Sequence, residues 1–242
     1  MAFRQFRRAL VCAGALGIVS FVFGRVVSAA NLAVDPSFEL GTASGPENTG
    51  GWNFANGAAL NTTPADSHTG NNSLNVTNGG AGAASGVPLA FETFNIGVIA
   101  GAKFDLTGWG MTTGQLVPPG ASNNGTDFAG VQATFFSGDN ATGANLGTVE
   151  TGATNAKFSN HIDSNSPVGQ WIALDTGIFT APAGAQSIQI FGIAVFPQEA
   201  IPAGNGVFID DLDLEAVPEP ATLSLLGLGL VGFGLVARRR FR

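Results

Sequence analysis

Between residues 31 and 216 the apolar side chains occur in short runs, and no run repeats with the spacing of an amphipathic helix. Clusters of Gly, Pro and Asn separate these runs, as they separate the strands of all-β domains. The predicted strands cover residues 73–76, 91–98, 103–111, 130–136, 171–179, 187–196 and 207–214. Residues 112–127 and 139–168 have the composition of long loops. The pattern therefore predicts one all-β domain, a sandwich or a barrel.

Two of these runs indicate how their strands are buried. In residues 103–111, Phe104 and Leu106 alternate with polar side chains, which is typical of a strand with one buried face. In residues 187–196 apolar side chains fall on both faces, which predicts a central strand covered on each side. Disorder is the alternative for a segment so rich in Gly, Asn and Thr. The Phe and β-branched residues within the runs can bury surface, however, and they favour a folded domain.

The N-terminal segment has the three parts of a secretory signal peptide. Three arginines among the first eight residues form its basic region, and residues 10–24 form its apolar core. Small residues up to Ala29 and Ala30 then offer a cleavage site to signal peptidase. We expect residues 1–30 to be removed during export, by cleavage after Ala29 or Ala30.

The C-terminal segment combines a Pro-Glu-Pro motif, an uncharged apolar run and a basic end. The motif is Val217, Pro218, Glu219 and Pro220, the apolar run covers residues 221–237, and the basic end begins with Arg238, Arg239 and Arg240. A helix of this run would be about 25 Å long, enough to cross a thin bilayer core. Arginines that follow such a helix stay on the cytoplasmic side, so everything before Val217 is expected to lie outside.

The charges divide between the ends and the middle of the chain. Every Arg lies in residues 1–25 or 238–242, and residues 31–220 contain two Lys against all 17 Asp and Glu. That segment therefore carries 15 net negative charges, which repel phosphate backbones and make nucleic acid a poor partner. It also contains no Cys, so a disulfide cannot stabilise it, although about 190 residues suffice for one self-supporting core.

The order of the C-terminal parts resembles the PEP-CTERM sorting signal of Gram-negative bacteria. That resemblance implies recognition and processing of residues 217–242 by an exosortase. It also implies a precursor anchored in the inner membrane by the helix at 221–237, and a product at the cell surface or outside the cell. An ordinary C-terminal membrane anchor is the alternative, but a plain anchor has no need of Pro-Glu-Pro.

The segment between the two ends resembles the galactose-binding-like β-sandwich of jelly-roll carbohydrate-binding modules. The matching stretches, in order, are Asn31-Leu32-x-x-Asp35-Pro36-Ser37-Phe38-Glu39 followed by Trp52, His68-Thr69-Gly70-Asn71-Asn72-Ser73-Leu74, Phe104-x-Leu106-x-Gly108-Trp109, Phe179-Thr180-Ala181-Pro182-Ala183-Gly184-Ala185 after Trp171, and Phe208-Ile209-Asp210-Asp211-Leu212-x-Leu214. They cover most of residues 31–216, so the expected fold is a single jelly-roll-type β-sandwich between the signal peptide and the sorting signal.

The same resemblance implies a structural calcium ion between the first and last strands. By position, Glu39 and Asp210 match the acidic residues of such sites. Alternation along 207–214 would place Asp210 on one inward face with Phe208, Leu212 and Leu214, where a carboxylate needs a cation or several hydrogen bonds. The alternative is that Asp210 caps backbone amides near a sheet end.

Sugar binding usually requires an aromatic ring that stacks on the sugar. The chain has three Trp and no Tyr. Trp52 and Trp171 lie where the resembling modules have packing residues, so we expect both in the core. Trp109 lies on the strand face opposite Phe104 and Leu106, which makes it the candidate platform.

Enzyme chemistry has little support in the sequence. It contains neither a Gly-x-Ser-x-Gly elbow nor a His-Glu-x-x-His motif. His68 and His161 are isolated in the sequence, and a lone His in a Gly/Asn-rich loop is more often a surface residue than a catalytic base. Two functions remain open. The first is a non-catalytic protein of the cell surface or exopolysaccharide matrix, and the second is a carbohydrate-binding module stabilised by calcium in the same location.

Overall fold

The structure is a computed structural model that describes residues 31–40, 52–77, 87–96, 100–115, 128–150, 161–195 and 205–217, and within the tail only Gly227 and Gly229, both helical. The strands in these ranges are β1 (Asn53–Ala55), β2 (Ala59–Asn61), β3 (Ser73–Asn75), β4 (Leu89–Asn95), β5 (Lys103–Thr112), β6 (Phe128–Phe136), β7 (Asn145–Glu150), β8 (Ile172–Asp175), β9 (Phe179–Thr180), β10 (Ser187–Val195) and β11 (Val207–Val217). One-turn 3₁₀ helices cover Pro64–Asp66 and Asp139–Ala141.

The strands form two antiparallel sheets. One sheet has five strands in the order β1-β4-β10-β6-β7, and the other has the order β2-β3-β11-β5-β8, with β9 pairing with the start of β5. Successive strands cross repeatedly from one sheet to the other. The predicted all-β, jelly-roll-type sandwich is therefore confirmed, and β10 is a central strand as predicted. The expected cover on both of its faces is wrong, because Gln189 and Phe191 are half-buried on the outer face of the sheet.

The core lies between the inner faces of the two sheets. Phe104 and Leu106 of β5 are buried, as are Ile188 and Ile190 of β10, so both strands alternate in and out. Each fully buried side chain of this size stabilises the fold by about 1.5–3 kcal/mol relative to an exposed one. Gly192, in the middle of β10, faces Leu74 of the opposite sheet so closely that a Cβ atom there would overlap its side chain.

A β-bulge in β11 corrects the predicted facing of Asp210. The register with β5 shifts between Asp210 and Asp213, and Asp211 has a left-handed backbone with φ of 49°. Asp210 is opposite Trp109 on the outer face, whereas Leu214 is opposite Leu106 on the inner face. Asp210 therefore does not share a face with Leu212 and Leu214, because one extra residue reverses the alternation.

The tryptophans do not all occupy the expected positions. Trp52 is 1% exposed, packs on Phe38 with ring centroids 4.8 Å apart, and donates its Nε1–H to the Asp35 carbonyl at 2.8 Å. The core prediction is correct for Trp52 and wrong for Trp171. Trp171 is only half-buried because it precedes β8, an edge strand, and packs on the outer surface.

Three strands lie where the sequence predicted none. β1 and β2 have three residues each, and β7 lies within residues 139–168, which were predicted to be loop. Conversely, the run at 171–179 divides between β8 and β9. Among the described residues no helix is long and apolar enough to cross a membrane, and the predicted span 221–237, Gly227 and Gly229 apart, lies outside them.

Candidate functional site: an aromatic cluster on the six-stranded sheet

Three aromatic side chains meet on the outer face of the sheet that contains β11 and β5. We call His68, Trp109 and Trp171 the aromatic cluster. The His68 imidazole stacks on Trp109 with centroids 4.2 Å apart and planes 14° apart, and Trp171 meets it edge-on at 5.5 Å. Trp109 lies on the outer face as predicted, half-buried, with His68 covering one side of its ring.

Asp211, at the β-bulge, positions the histidine. Its Oδ2 lies 2.6 Å from His68 Nδ1, and its Oδ1 accepts the Thr69 hydroxyl at 2.5 Å. The His68 side chain is 26% exposed, so the ring is neither loose on the surface nor sealed inside. Because of the bulge, the side chains of Asp210 and Asp211 both contact residues 68 and 69. In a regular strand two neighbouring side chains point to opposite faces and could not do so.

The two carboxylates predicted as calcium ligands hold the loop that carries His68. We call residues 67–72 the clamped loop. Asp210 Oδ2 accepts the amides of His68 at 2.8 Å and Thr69 at 3.2 Å. At the other end of the loop, the Glu39 Oε1 accepts the amides of residues 71 and 72 at 2.6 and 2.7 Å. Gly70 lies between them with φ of 66°, and the Glu39 carboxylate leaves no space there for a Cβ atom.

The surroundings of Asp210 favour its neutral form. Burial raises the pKa of this fully buried carboxyl group to about 7, the nearby charge of Asp211 adds to the rise, and the amide hydrogen bonds oppose it. The other carboxylate oxygen, Oδ1, accepts the Asp211 amide at 2.8 Å. Over the described ranges, no three His, Cys, Asp or Glu side chains are placed to share a metal ion. The contacts of Asp210 are thus those of a carboxylate held by amides, and calcium at this place stays a prediction.

Further acidic side chains occupy the same outer face, nearer the end of β11. Asp105 is directly opposite Glu215, and Thr107 lies between Asp213 and Asp175. Burial raises the pKa of Asp105, and the Asp175 carboxylate raises it further. Burial likewise raises the pKa of Asp213, with a contribution from Glu215. This part of the sheet therefore repels anionic ligands.

The outer face of the five-stranded sheet has a different chemistry. Phe91 and Phe191 lie side by side with centroids 6.0 Å apart, and Gln132 is the next residue across the sheet. In the neighbouring row, Gln189 donates to the Thr93 hydroxyl at 2.9 Å. This face offers apolar rings, amides and hydroxyls, and it was not predicted from the sequence as a candidate binding surface.

His161 has its own surroundings. Its Nε2 lies 3.8 Å from Asp163, and its ring meets Phe128 edge-on at 6.3 Å. Asp163 therefore lies close enough to influence the orientation of this imidazole. The Ser166 hydroxyl donates to the backbone carbonyl of His161 at 3.4 Å, and among the described residues the side-chain contacts found for the imidazole are those with Asp163 and Phe128.

The structure brings together most of the residues that the sequence singled out. Glu39 and Asp210 accept amides at opposite ends of the clamped loop, and Trp109 shares the outer face with Asp210. The sequence reasoning missed the role of His68, although the His-Thr-Gly stretch before Ser73 was a signal that this loop has a defined structure. Of the sorting residues, Val217 ends β11, and Pro218, Glu219, Pro220, Arg238, Arg239 and Arg240 lie outside the described residues.

Comparison with solved structures finds several that are similar to this chain. The CBM22-1 xylan-binding domain from Paenibacillus barcinonensis Xyn10C is 17% identical over 76% of this chain and 92% of its own, with a TM-score of 0.43. The enzymatically active domain of bacteriophage CBA120 tailspike protein 4 is 15% identical over 79% of this chain and 22% of its own, with a TM-score of 0.42. The K2 cleaved adhesin domain of Lys-gingipain is 14% identical over 75% of this chain and 97% of its own, with a TM-score of 0.39. Similarities of this size do not extend to a ligand or an activity.

No curated protein sequence gives a significant match to this chain. One family model does match, and it covers the tail alone. The sorting signal predicted from Val217, Pro218, Glu219 and Pro220 is confirmed, because residues 216–240 match the PEP-CTERM protein-sorting motif, which implies export and processing by an exosortase.

Proposed function

We propose that this chain is a non-catalytic protein of the cell surface or exopolysaccharide matrix of a Gram-negative bacterium. In this proposal, signal peptidase removes residues 1–30 and an exosortase processes the tail. The observation that carries the proposal is the match of residues 216–240 to the PEP-CTERM protein-sorting motif. The motif starts where β11 ends, so the cargo it sorts is the sandwich. The 15 net negative charges of residues 31–220 suit a domain that must stay soluble outside the cell.

The test of sorting is replacement of Pro218, Glu219 and Pro220 by Ala in a host that contains an exosortase. We expect the altered precursor to accumulate in the membrane fraction while the native chain is shortened and leaves it. Pro182→Ala, in the turn before β10, is the matched control and should be processed normally. Equal processing of the altered motif and the native chain would contradict the proposal.

The surroundings of His68 support a non-catalytic sandwich. Its Nδ1 contacts Asp211 and its ring packs against Trp109 and Trp171, and these contacts of the ring include no hydroxyl or thiol nucleophile among the described residues. The corresponding measurement is the release of soluble fragments from any polysaccharide that the protein binds. We expect none, and fragments that depend on His68 would overturn this assignment.

A second candidate activity, weak polysaccharide binding, is favoured by the aromatic cluster. Half-buried Trp109 and Trp171 present ring surface beside the Asp211 carboxylate and the Thr69 hydroxyl. Aromatic surface next to hydrogen-bond acceptors is the combination that holds sugar rings, whose faces are apolar and whose edges are hydroxylated. Binding at this place would be part of the matrix function.

Pull-down with polysaccharide from the source organism tests this second activity. We expect Trp171→Ala and Trp109→Ala to weaken binding about tenfold, since a buried aromatic contact contributes more than 1 kcal/mol. Phe191→Ala removes a ring of comparable burial from the other sheet and should leave binding unchanged. The reverse result would move the binding site to the five-stranded sheet.

Structural calcium remains a proposal for the clamped loop. It is supported by the position of Glu39 and Asp210 at the two ends of one loop and by the burial of Asp210 without a cationic partner among the described residues. An ion that binds only the folded state must raise the melting temperature. We expect a higher midpoint in Ca²⁺ than in chelator, and no difference for Asp210→Asn. An equal midpoint for the native protein in both conditions would remove calcium from the proposal.

A further inference from the structure

The last strand continues directly into the sorting motif. Val217 is the final residue of β11 and is in register with Lys103, as Ala216 is with Phe104. The PEP-CTERM match begins at residue 216, so its first two residues belong to the sheet. No linker separates the folded domain from the signal.

The chain also enters the sandwich from this end. Asn31 pairs with Glu215, and the Leu32 amide donates to the Leu214 carbonyl at 2.8 Å. The Asn31 side chain adds bonds to Leu212 and Leu214 at 3.1 and 3.0 Å. Because this pairing is antiparallel, Asn31 itself lies at the Val217 end of β11.

Three neighbouring strands each have one terminus at this place, the start of β5 and the ends of β9 and β11. Thr180 of β9 is opposite Lys103 of β5, which is opposite Val217 of β11. We call Lys103, Thr180 and Val217 the sorting rim. The rim lies at one end of the sandwich, and Gln115, just beyond the other end of β5, is about 30 Å away along a strand of this length.

The length of chain beyond the rim limits how far the sandwich can move from a membrane. From Val217 to residue 221, where the predicted span begins, a fully extended chain reaches about 14 Å at most. The headgroup layer on each side of the hydrocarbon core is about 5–8 Å thick. The length of extended chain that remains beyond the headgroup layer is less than the width of a small helix. An anchored sandwich therefore stays against the headgroups, with the rim facing the membrane.

The rim has one basic side chain, Lys103, two residues along β5 from the acidic pair of Asp105 and Glu215, so the short connection to the membrane, and not the net charge, holds the rim at the headgroups. The sandwich as a whole is acidic and would be repelled by a surface that contains anionic lipids. Lys103, one of two basic residues between positions 31 and 220, lies on the rim itself. A Lys close to an anionic surface contributes an attraction worth about a fivefold change in binding.

We propose that the sorting rim is a lipid-headgroup contact surface in the anchored precursor. Lys103 supplies its anion contact, and the tail is presented to the exosortase from a sandwich held at the membrane surface. This inference rests on the proposed sorting function. It adds to that function a defined face of the folded domain and a partner, the phospholipid surface.

Single-cysteine labelling tests the contact. The full chain with Cys12→Ser has no Cys left. A fluorophore is attached to Thr180→Cys on the rim or to Gln115→Cys at the far end, both exposed positions, and the chain is placed in vesicles of zwitterionic and anionic phospholipid that carry a headgroup quencher. We expect several-fold stronger quenching at position 180 than at 115. Equal quenching at the two positions overturns the proposal.

Two controls separate the rim contact from anchoring. Ten Gly/Ser residues inserted between Val217 and Pro218 should abolish the quenching at position 180 while the protein still floats with the vesicles, and retained quenching overturns the proposal. A chain that does not float contradicts the proposed anchoring itself. Lys103→Gln should weaken the quenching by up to about fivefold in anionic vesicles, whereas Gln115→Glu, with the same change in net charge, should not. Equal effects of these two changes would remove Lys103 from the contact.

Discussion

Glu92 is a carboxyl group placed inside the sandwich. It is 3% exposed, and its inward direction follows from its pairing with Ile190, which belongs to the core. Its Oε1 accepts the Val34 amide at 3.4 Å, and its Oε2 has no hydrogen-bond partner among the described residues. Burial raises the pKa of Glu92 to about 7, and the negative charge of Asp35 adds to the rise.

This shift predicts how stability depends on pH. The unfolded carboxyl group titrates near its ordinary value, so between about pH 4.5 and pH 7 the folded state binds more protons than the unfolded state, and stability falls as the pH rises. A shift of this size corresponds to about 3 kcal/mol, which is present below pH 4.5 and lost above pH 7. Glu92→Gln should reduce the slope in this part of the profile, to which Asp210 also contributes, and be more stable than the native protein at pH 8, as measured by urea denaturation.

The exposed Asp139→Asn is the control for Glu92→Gln, because it removes one carboxylate at the surface. It should keep the native slope between pH 4.5 and pH 7. If Glu92→Gln keeps that slope as well, another group is responsible for it.

At the scale of single residues, alternation in the sequence predicts burial but not partners. Phe104 and Leu106 could be assigned to the core from the alternation of apolar and polar residues in their strand, and Trp52 from its place in the resembling modules. The stacking of His68 on Trp109 could not be predicted, since it depends on a loop that returns to the sheet and on a carboxylate 143 residues away. Trp171 was assigned incorrectly for the same reason, because its surroundings come from other parts of the chain.

The bulge in β11 is the element that builds the aromatic cluster. Asp211 adopts a left-handed conformation, which costs most side chains about 1–2 kcal/mol and Gly much less. In return it gives two side-chain contacts to the clamped loop and turns Leu212 inward. The local strain and the contacts of the cluster are therefore linked at one residue.

Two substitutions at Asp211 separate these effects. Asp211→Ala loses both contacts and keeps the strain, and we expect it to destabilise the fold by about 2–3 kcal/mol. Asp211→Gly loses the same contacts but relieves the strain, so it should recover about 1 kcal/mol of that loss. Thermal unfolding measures both, and equal midpoints for the two variants would contradict a strained bulge.

At the scale of elements, long strands were predictable and short ones were not. β5, β10 and β11 each have nine or more residues with regular apolar positions, and the sequence located all three. β1 and β2 are too short to show a period. β7 has few apolar residues and contains Gly147 at φ of 151°, so only its pairing with β6 makes it a strand. The bulge leaves no trace in the pattern, because Leu212 and Leu214 are apolar in either register.

At the scale of the whole molecule, the sandwich ends and the sorting motif begins at the end of β11. Loss of the tail after Val217 removes no strand pairing of the described sandwich, so a chain that stops there should melt at the same temperature as the full sandwich. A chain that stops at Leu214 loses the pairs at residues 215–217 with β5 and the pairing of Asn31 with Glu215. We expect it to lose about 2 kcal/mol and to melt about 4–8 °C lower in calorimetry. Equal melting of the two truncations would show that the end of β11 contributes nothing.

The sorting motif could be predicted from the sequence because it is short and contiguous, within residues 216–240. The function of the sandwich could not, since its candidate surfaces combine residues from β5, β8, β11 and a loop. All eight Arg lie in residues 1–25 or 238–242, outside the sandwich.

β11 is the last strand of the domain to be synthesised, yet it lies between β3 and β5 in the middle of its sheet. Without it, β5 lacks one neighbour and β3 has none but β2, so the six-stranded sheet cannot assemble while the chain is being threaded outward. Long-range pairing of this kind forms late in folding. Folding on the far side of the membrane is therefore expected to wait until residues 207–217 have emerged, at the moment when the hydrophobic tail enters the translocation channel. Pulsed proteolysis of stalled export intermediates would detect this timing, because chains halted before residue 207 should be digested and chains halted after residue 217 should resist.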